Sequence, residues 1–333
     1  ASGGTPVRGV DRHRHSRRAA RRFLQLFRPR VGLLLETEMW PELLQQAAEL
    51  QIPMVLANAR MSEKTLQQSL RLSSLAYPGY RSLRTAYVQT PSDADRLRAL
   101  QVQDIQVVGN LKFDASPDPE LLARGRQWRQ QLQGGVARPV VMLASSREGE
   151  EQMWLQAWNA LQPAQREAVQ WLLVPRHPQR FDEVAALLQQ NGLQVWRRSA
   201  WEEQIASPAS PVVWLGDSLG EMPMYYAMAD LALMGGSFEK LGGQNLIEAC
   251  ACGCPVLLGP HTFNFAEASE QAIAAGAAQR CTDMSQAMRE ADRLLLLDTA
   301  THQAMQQACE RFTGSHRGAA MRMAQDLLAR GLI

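Results

Sequence analysis

From about residue 31 to residue 260, apolar runs of strand length alternate with segments whose apolar residues recur at helical spacing. That alternation restricts the chain to βα units wound around parallel sheets. Residues 31–35 are a buried-type run, Pro41 suits the first turn of a helix carrying Leu43, Leu44, Ala47 and Ala48, and residues 52–56 are the next strand. Ser62 opens another helix, residues 87–89 read as a short strand, Ser92 with Asp95 as a capping box, and residues 105–108 as a strand ending at Gly109. Residues 116–138 carry Pro117, Pro119, Gly125, Gly134 and Gly135 around a polar helical stretch, a composition that suits an interdomain connection. Beyond it, residues 140–144, 171–174, 212–215, 231–234 and 256–258 are five strand candidates, and residues 301–330 read as one or two helices. The expectation is two α/β domains, with the first ragged at its beginning.

At 333 residues the chain is long enough for two cores. With 46% hydrophobic and 20% charged residues, it falls outside disordered and fibrous classes. No apolar run approaches the roughly 18 to 20 residues of a membrane span. Residues 1–30 hold nine arginines and one aspartate, a charge of +8 in a chain of net +2, so the rest carries −6. A body of that sign lacks the broad basic field that nucleic acid requires, and the arm has no aromatic residue before Phe23 to stack on bases. The arm has no apolar face of the kind that inserts into lipid, although its charge suits an anionic membrane surface. Five cysteines, three of them in C-A-C-G-C at 250–254, read as reduced thiols rather than as a disulfide framework or a zinc site.

In open parallel sheets ligands bind beyond the carboxyl ends of strands, so the loops after strands carry the most weight. Glu36 and Glu38 follow the first strand. Lys112, one of only three lysines against thirty-two arginines, follows the fourth in G-N-L-K-F-D. Where arginine serves for general charge, a retained lysine points to a specific role, such as opposing charge on a departing phosphate. Pro175-Arg176-His177-Pro178 puts a guanidinium on a stiffened turn, and Ser145 with Glu148 reads as a capping box after the second domain's first strand. Gly216 and Gly220 flank Asp217, Ser218 and Leu219. Gly242-Gly243 precede a helix expected to start at Asn245, with Glu248 one turn in, placed to accept both hydrogens of a ribose diol. Together with Gly235-Gly236-Ser237 these loops describe a nucleotide-sugar pocket. Neither G-x-G-x-x-G, G-x-x-x-x-G-K-[ST] nor G-x-S-x-G occurs, which disfavours hydride transfer, NTP hydrolysis and serine-hydrolase chemistry.

The ordered set ETEMWPELL, ANARMS, GNLKFD, SSREGEE, PRHPQRF, GDSLGEM, GGSFEKLGGQNLIEA and GPHTFNF closely resembles the 3-deoxy-D-manno-octulosonic acid (Kdo) transferases of bacterial lipopolysaccharide synthesis, from about residue 21 onward. The resemblance implies a GT-B glycosyltransferase, with two Rossmann-like doubly wound domains facing a cleft and the first one incomplete. Residues 1–20 are then a basic arm outside the family, 21–115 a partial acceptor domain, 116–138 a linker and 139–333 the CMP-sugar domain with its terminal helices. It further implies transfer of Kdo from CMP-Kdo to lipid IVA at the cytoplasmic face of the inner membrane, through an inverting displacement with oxocarbenium character. No cofactor, metal or nucleic acid takes part.

Carried over by motif, the resemblance makes Glu36 and Lys112 transition-state stabilisers. It gives CMP contacts to Pro175, Arg176, Leu219, Gly220, Glu221, Asn245, Leu246, Ile247 and Glu248. The family's proton acceptor, a glutamate in a G-E motif after an early strand, has no counterpart in the sequence, and Gln244 stands where a histidine is common. The alternative reading is therefore a CMP- or CMP-sugar-binding fragment without the general base. A GT-B enzyme using UDP- or GDP-sugars is a third.

Overall fold

The computed structural model describes residues 9–133, 138–201 and 212–333. Residues 1–8 of the basic arm and the Gly134-Gly135 pair of the expected linker lie outside the described residues. The chain divides into two compact units, one of Ala1–Asp114 with His316–Ile333 and one of Ala115–Ser315.

The first unit holds a parallel sheet in the order β1 (Gly32–Leu35), β2 (Met54–Ala59), β3 (Leu83–Val88), β4 (Ile105–Val107). Its helices are α1 (Gly9–Phe27), α2 (Pro41–Glu49), α3 (Glu63–Arg71), α4 (Ser73–Arg81) and α5 (Pro91–Ala99). All six residues of β2 are buried, which is why its sequence is apolar from Met54 to Ala57 and at Ala59, with the buried Asn58 as its one polar side chain. At the edge strand β1 the pattern alternates, with Leu34 in the core and Leu33 and Leu35 exposed. Ser62 caps α3 as expected, accepting from Thr65 N. The cap of α5, however, is Thr90 rather than Ser92, because Pro91 fixes the first helical turn and leaves the preceding residue to accept from Asp93 N.

The basic arm also departs from expectation. It continues as the helix α1, with Leu24 buried and Arg17 and Arg21 both paired with Glu49 of α2, at 2.6 and 2.9 Å. Phe23, Leu26 and Phe27, spaced i, i+3, i+4, are exposed, so the helix does present an apolar stripe.

The second unit contains a seven-stranded parallel sheet in the order β11-β10-β9-β5-β6-β8-β7. The strands are β5 (Val140–Ser146), β6 (Gln170–Pro175), β7 (Val195–Arg197), β8 (Val213–Leu215), β9 (Leu231–Met234), β10 (Val256–Leu258) and β11 (Ala278–Arg280). The sequence pattern found five of these. The outer strands β7 and β11 are three residues long and each ends in arginine, so they give no apolar-run signal. Around the sheet lie α6 (Pro119–Gln133), α7 (Glu150–Ala160), α8 (Pro163–Ala168), α9 (Phe181–Gln190), α10 (Met222–Met228), α11 (Leu246–Ala251), α12 (Ala266–Ala274), α13 (Met284–Asp292) and α14 (Thr299–His316). Val141, Leu143, Leu173, Leu215, Leu233 and Leu257 point from successive strands into one core, where Trp154, Trp158 and Trp171 pack ring against ring.

Two expected boundaries shift. Residues 116–138 are not a free linker, since α6 packs on α10 so closely that a Cβ on Gly125 would lie 2.3 Å from the Met224 carbonyl oxygen. The last helix, α15 (Ala319–Ala329), belongs to the first unit and not to a 139–333 domain. Its fixings are specific. Asp114 accepts from the backbone N–H of Gly318 and Ala320, Tyr87 donates to Asp326 at 2.7 Å, and Arg322 donates to the Val108 carbonyl. Long-range polar pairing of this kind leaves no periodic trace in a sequence.

Candidate functional site

In the first unit the loops after β1 and β4 bring Glu36 and Lys112 together, with Lys112 Nζ 3.0 Å from Glu36 Oε1 and both side chains about one-third exposed. Glu36 sits at φ +56°, in the left-handed region that a residue with a Cβ seldom occupies. Its N–H is held by the Ala57 carbonyl at 2.9 Å. Lys112 lies in a short 3-10 turn, Leu111–Asp114, whose first N–H is accepted by the buried Asn58 amide oxygen at 3.0 Å. Asn58 is itself at φ +52°, so strained backbone stands at two strand ends beside the ion pair. Asn58 falls within the ANARMS motif but was assigned no role there, because its contribution is a hydrogen bond across 53 residues of sequence.

In the second unit the strand order reverses at β5, which has β6 on one side and β9 on the other, and such a switch point opens a crevice at the strands' carboxyl ends. Pro175 ends β6, and Arg176 follows with an exposed side chain while its N–H donates to the Ser146 carbonyl at 3.0 Å. Ser145 does not cap α7. It sits at φ +54° in a bulge of β5, and Gly149 at φ +92° is the residue before the helix, so the Ser145–Glu148 box is replaced by a tight turn.

After β8, Leu219 is exposed and Gly220 has φ +77° with no atom within 4 Å of a Cβ built there, leaving backbone open to a ligand. Glu221 accepts from Arg198 at 2.9 Å and from Ser218, and Arg124 stands 3.6 Å away. The Arg198 guanidinium lies 4.0 Å from the Trp128 ring centroid, so an aromatic face and two arginines fix this carboxylate. No sequence motif signalled Arg124, Trp128 or Arg198. Burial would raise the Asp217 pKa, but hydrogen bonds from Ser199 and Arg197 outweigh it and hold the carboxyl below its ordinary value.

The helix α11 starts where the sequence put it, with Asn245 capping it by accepting from Ile247 N. Leu246 and Ile247 are buried beneath the site, and Glu248 is partly exposed in the first turn. Burial raises the Glu248 pKa and the Arg176 charge draws it back down, which places an anion acceptor and a cation within electrostatic reach of each other. Such an array can hold a phosphate with arginine and a ribose diol with carboxylate. Among the described residues no group of three or more His, Cys, Asp or Glu side chains is arranged to hold a metal ion. The five cysteines are free thiols, four of them buried.

The family described as 3-deoxy-D-manno-octulosonic-acid transferase (kdotransferase) matches residues 15–115, six residues earlier than the motifs alone reached. The 3-deoxy-D-manno-octulosonic acid transferase of Bordetella pertussis is 47% identical over 308 residues, covering 91% of this chain and 70% of that protein. That of Haemophilus influenzae is 31% identical over the same shares. Among solved structures, the C-terminal CMP-Kdo binding domain of WaaA from Acinetobacter baumannii aligns at 30% identity and a TM-score of 0.52, covering 59% of this chain and 98% of that domain. A UDP-forming trehalose-phosphate synthase from Burkholderia vietnamiensis, 14% identical, shares the two-sheet GT-B fold at a TM-score of 0.60 over 99% of this chain and 77% of its own.

Proposed function

The chain belongs to the 3-deoxy-D-manno-octulosonic acid transferase family, and from that premise we propose that it moves Kdo from CMP-Kdo to lipid IVA, with the second unit holding the donor. By homology it is a glycosyltransferase. The observation that carries the donor assignment is the alignment of 59% of the chain with a domain described as CMP-Kdo binding. Arg176 and Glu221 lie in the connections that follow β6 and β8, and Glu248 in the first turn of α11 after the β9 loop, all beyond the carboxyl ends of that unit's strands.

In the proposed reaction the bond from the Kdo anomeric carbon to the CMP phosphate oxygen breaks and CMP leaves with its electron pair, while an acceptor hydroxyl oxygen forms the new glycosidic bond from the opposite face and its proton passes to solvent water. Arg176 opposes the phosphate charge and Glu248 accepts from the ribose hydroxyls. Pro175 with Leu219-Gly220-Glu221 and Asn245-Leu246-Ile247 shape the nucleotide seat. Glu36 and Lys112 stabilise charge that develops in the transition state. Calorimetric titration tests the donor reading: CMP binds, while UMP and GMP bind at least about tenfold more weakly, the cost of hydrogen bonds to one base left unmade. Equal affinity for all three nucleotides overturns it.

Peripheral contact with an anionic membrane is part of the same proposal. The exposed Phe23, Leu26 and Phe27 lie on α1 among Arg17, Arg18, Arg21 and Arg22, and no described helix is long and apolar enough to cross a membrane. Co-sedimentation with phosphatidylglycerol vesicles is expected, diminishing as salt rises and in the double variant Phe23→Ala/Phe27→Ala. Equal binding to neutral vesicles, or none to either kind, contradicts this.

A further inference from the structure

The turn into α7 contains two adjacent glutamates, Glu150 and Glu151, whose side chains are fully buried yet point to different loops. Glu150 accepts three main-chain N–H groups: Arg147 at 2.8 Å, Gly236 at 2.7 Å and Phe238 at 3.1 Å. It thereby ties the loop after β9 to the end of β5. Glu151 accepts from both terminal nitrogens of Arg180, at 3.0 and 2.8 Å, and from the Ser146 hydroxyl at 2.6 Å. Arg180 is also buried, and it closes the Pro175–Arg180 loop that carries Arg176. Thus the two loops that flank the switch point, one from each neighbour of β5, are fastened to a single helical turn by two carboxylates.

Fastening of this kind is costly unless position matters. Taking two carboxylates out of water carries a desolvation cost, and at Glu150 burial raises the pKa even though backbone N–H groups lower it. A hydrophobic turn would stabilise the unit at less expense, but it would not set where the Gly236 and Arg176 backbones stand. The loop after β9 also meets the end of β5 backbone to backbone, since a Cβ on Gly235 would fall 2.3 Å from the Ser145 carbonyl oxygen, and the Arg176 N–H donates to the Ser146 carbonyl one residue further on. Little slack remains to place them by packing alone.

We propose that Glu150 and Glu151 are positioning residues of the donor site, holding the Gly235–Phe238 and Pro175–Arg180 loops at the spacing that the phosphate and sugar of the nucleotide-sugar require. The inference rests on the donor-site reading of the second unit. Glu150 acts through main-chain amides and Glu151 through Arg180, so neither touches the ligand.

The test is CMP titration and thermal melting of the wild-type chain beside Glu150→Gln, Glu150→Ala, Glu151→Gln and Arg180→Met. Folded variants are expected to bind CMP about tenfold more weakly or worse, with Glu150→Gln, which keeps one acceptor oxygen, between wild type and Glu150→Ala. Glu151→Gln combined with Arg180→Met is expected to cost less than the sum of the single changes, because either one already releases the loop. Variants that melt earlier yet bind CMP as tightly as wild type overturn the positioning role. If the wild-type chain itself binds no CMP, the donor-site reading fails instead. Should the variants not fold, hydrogen exchange in the wild-type chain decides: CMP is expected to slow exchange at Gly236, Phe238 and Arg176, and unchanged exchange at these amides with CMP bound overturns the proposal.

Discussion

Glu248→Ala is expected to weaken CMP binding by about a hundredfold or more, the loss of two charge-assisted hydrogen bonds from a ribose diol. The substitution falls in the first turn of α11, whose Asn245 cap and buried Leu246 and Ile247 stay in place, so the fold persists. A pH series separates this from general damage. Because burial sets the Glu248 pKa above its ordinary 4.5, with Arg176 offsetting only part, the carboxylate begins to take up a proton at a higher pH than an exposed glutamate does. CMP affinity of the wild-type chain therefore begins to fall on acidification at a higher pH than an exposed glutamate would set, whereas Glu248→Gln is weaker throughout and lacks this component. The stability of the free protein moves the other way. A glutamate whose folded pKa is raised favours the fold below its unfolded pKa and loses that contribution as pH rises through the folded value. Glu248→Gln should therefore melt higher than wild type at neutral pH, and the difference should vanish in acid. A variant that bound CMP like wild type, or whose melting difference had the opposite sign, would remove Glu248 from the nucleotide site.

Lys112→Ala is expected to slow CMP release from CMP-Kdo by about a hundredfold or more while leaving CMP affinity unchanged, the signature of a group whose contribution appears in the transition state. Its pairing with Glu36, with both side chains about one-third exposed, is of the kind worth at most about 1 kcal/mol to stability, so the melting temperature should barely move. Glu36→Gln should slow turnover as well. Its left-handed backbone is held by the Ala57 carbonyl, and the substitution keeps the side chain's shape. Lys112→Arg preserves charge in a chain that uses arginine almost everywhere else. Full activity in that variant would mean that any cation serves, whereas a partial rate supports placement of a compact ammonium on the turn that Asn58 holds. Turnover unchanged in Lys112→Ala assigns the ion pair to structure alone.

The alternation of apolar runs with helical spacing made most of both sheets legible. Buried parallel strands such as β2, β5 and β9 are apolar for four or more residues in a row, with Asn58, Ser145 and Ser146 only towards their carboxyl ends, and a chain that repeats such runs specifies α/β layering. Loop chemistry was legible for the same physical reason. Ligand-binding groups in such sheets follow strand ends, so Glu36, Lys112, Arg176, Glu221 and Glu248 stand out by position as candidates. What escaped were contacts between residues distant in sequence: Arg124, Trp128 and Arg198 around Glu221, and Asn58 beneath the Lys112 turn. Also missed were β7 and β11, three-residue edge strands that are only partly buried and end in arginine, so that no apolar run marks them.

Fold class, family and the candidate strand ends were readable from the chain alone, because hydrophobic period and ordered motifs are local properties of a sequence. Tertiary structure alone decided that α6 packs within the second unit and α15 with the first, and that Thr90 rather than Ser92 caps α5. It also decided that Glu150 and Glu151, the adjacent glutamates that end the SSREGEE segment, are buried between loops. A carboxylate's partners are chosen by what folding brings within hydrogen-bond reach, and that choice is made across some 30 to 90 residues of intervening chain in these two cases.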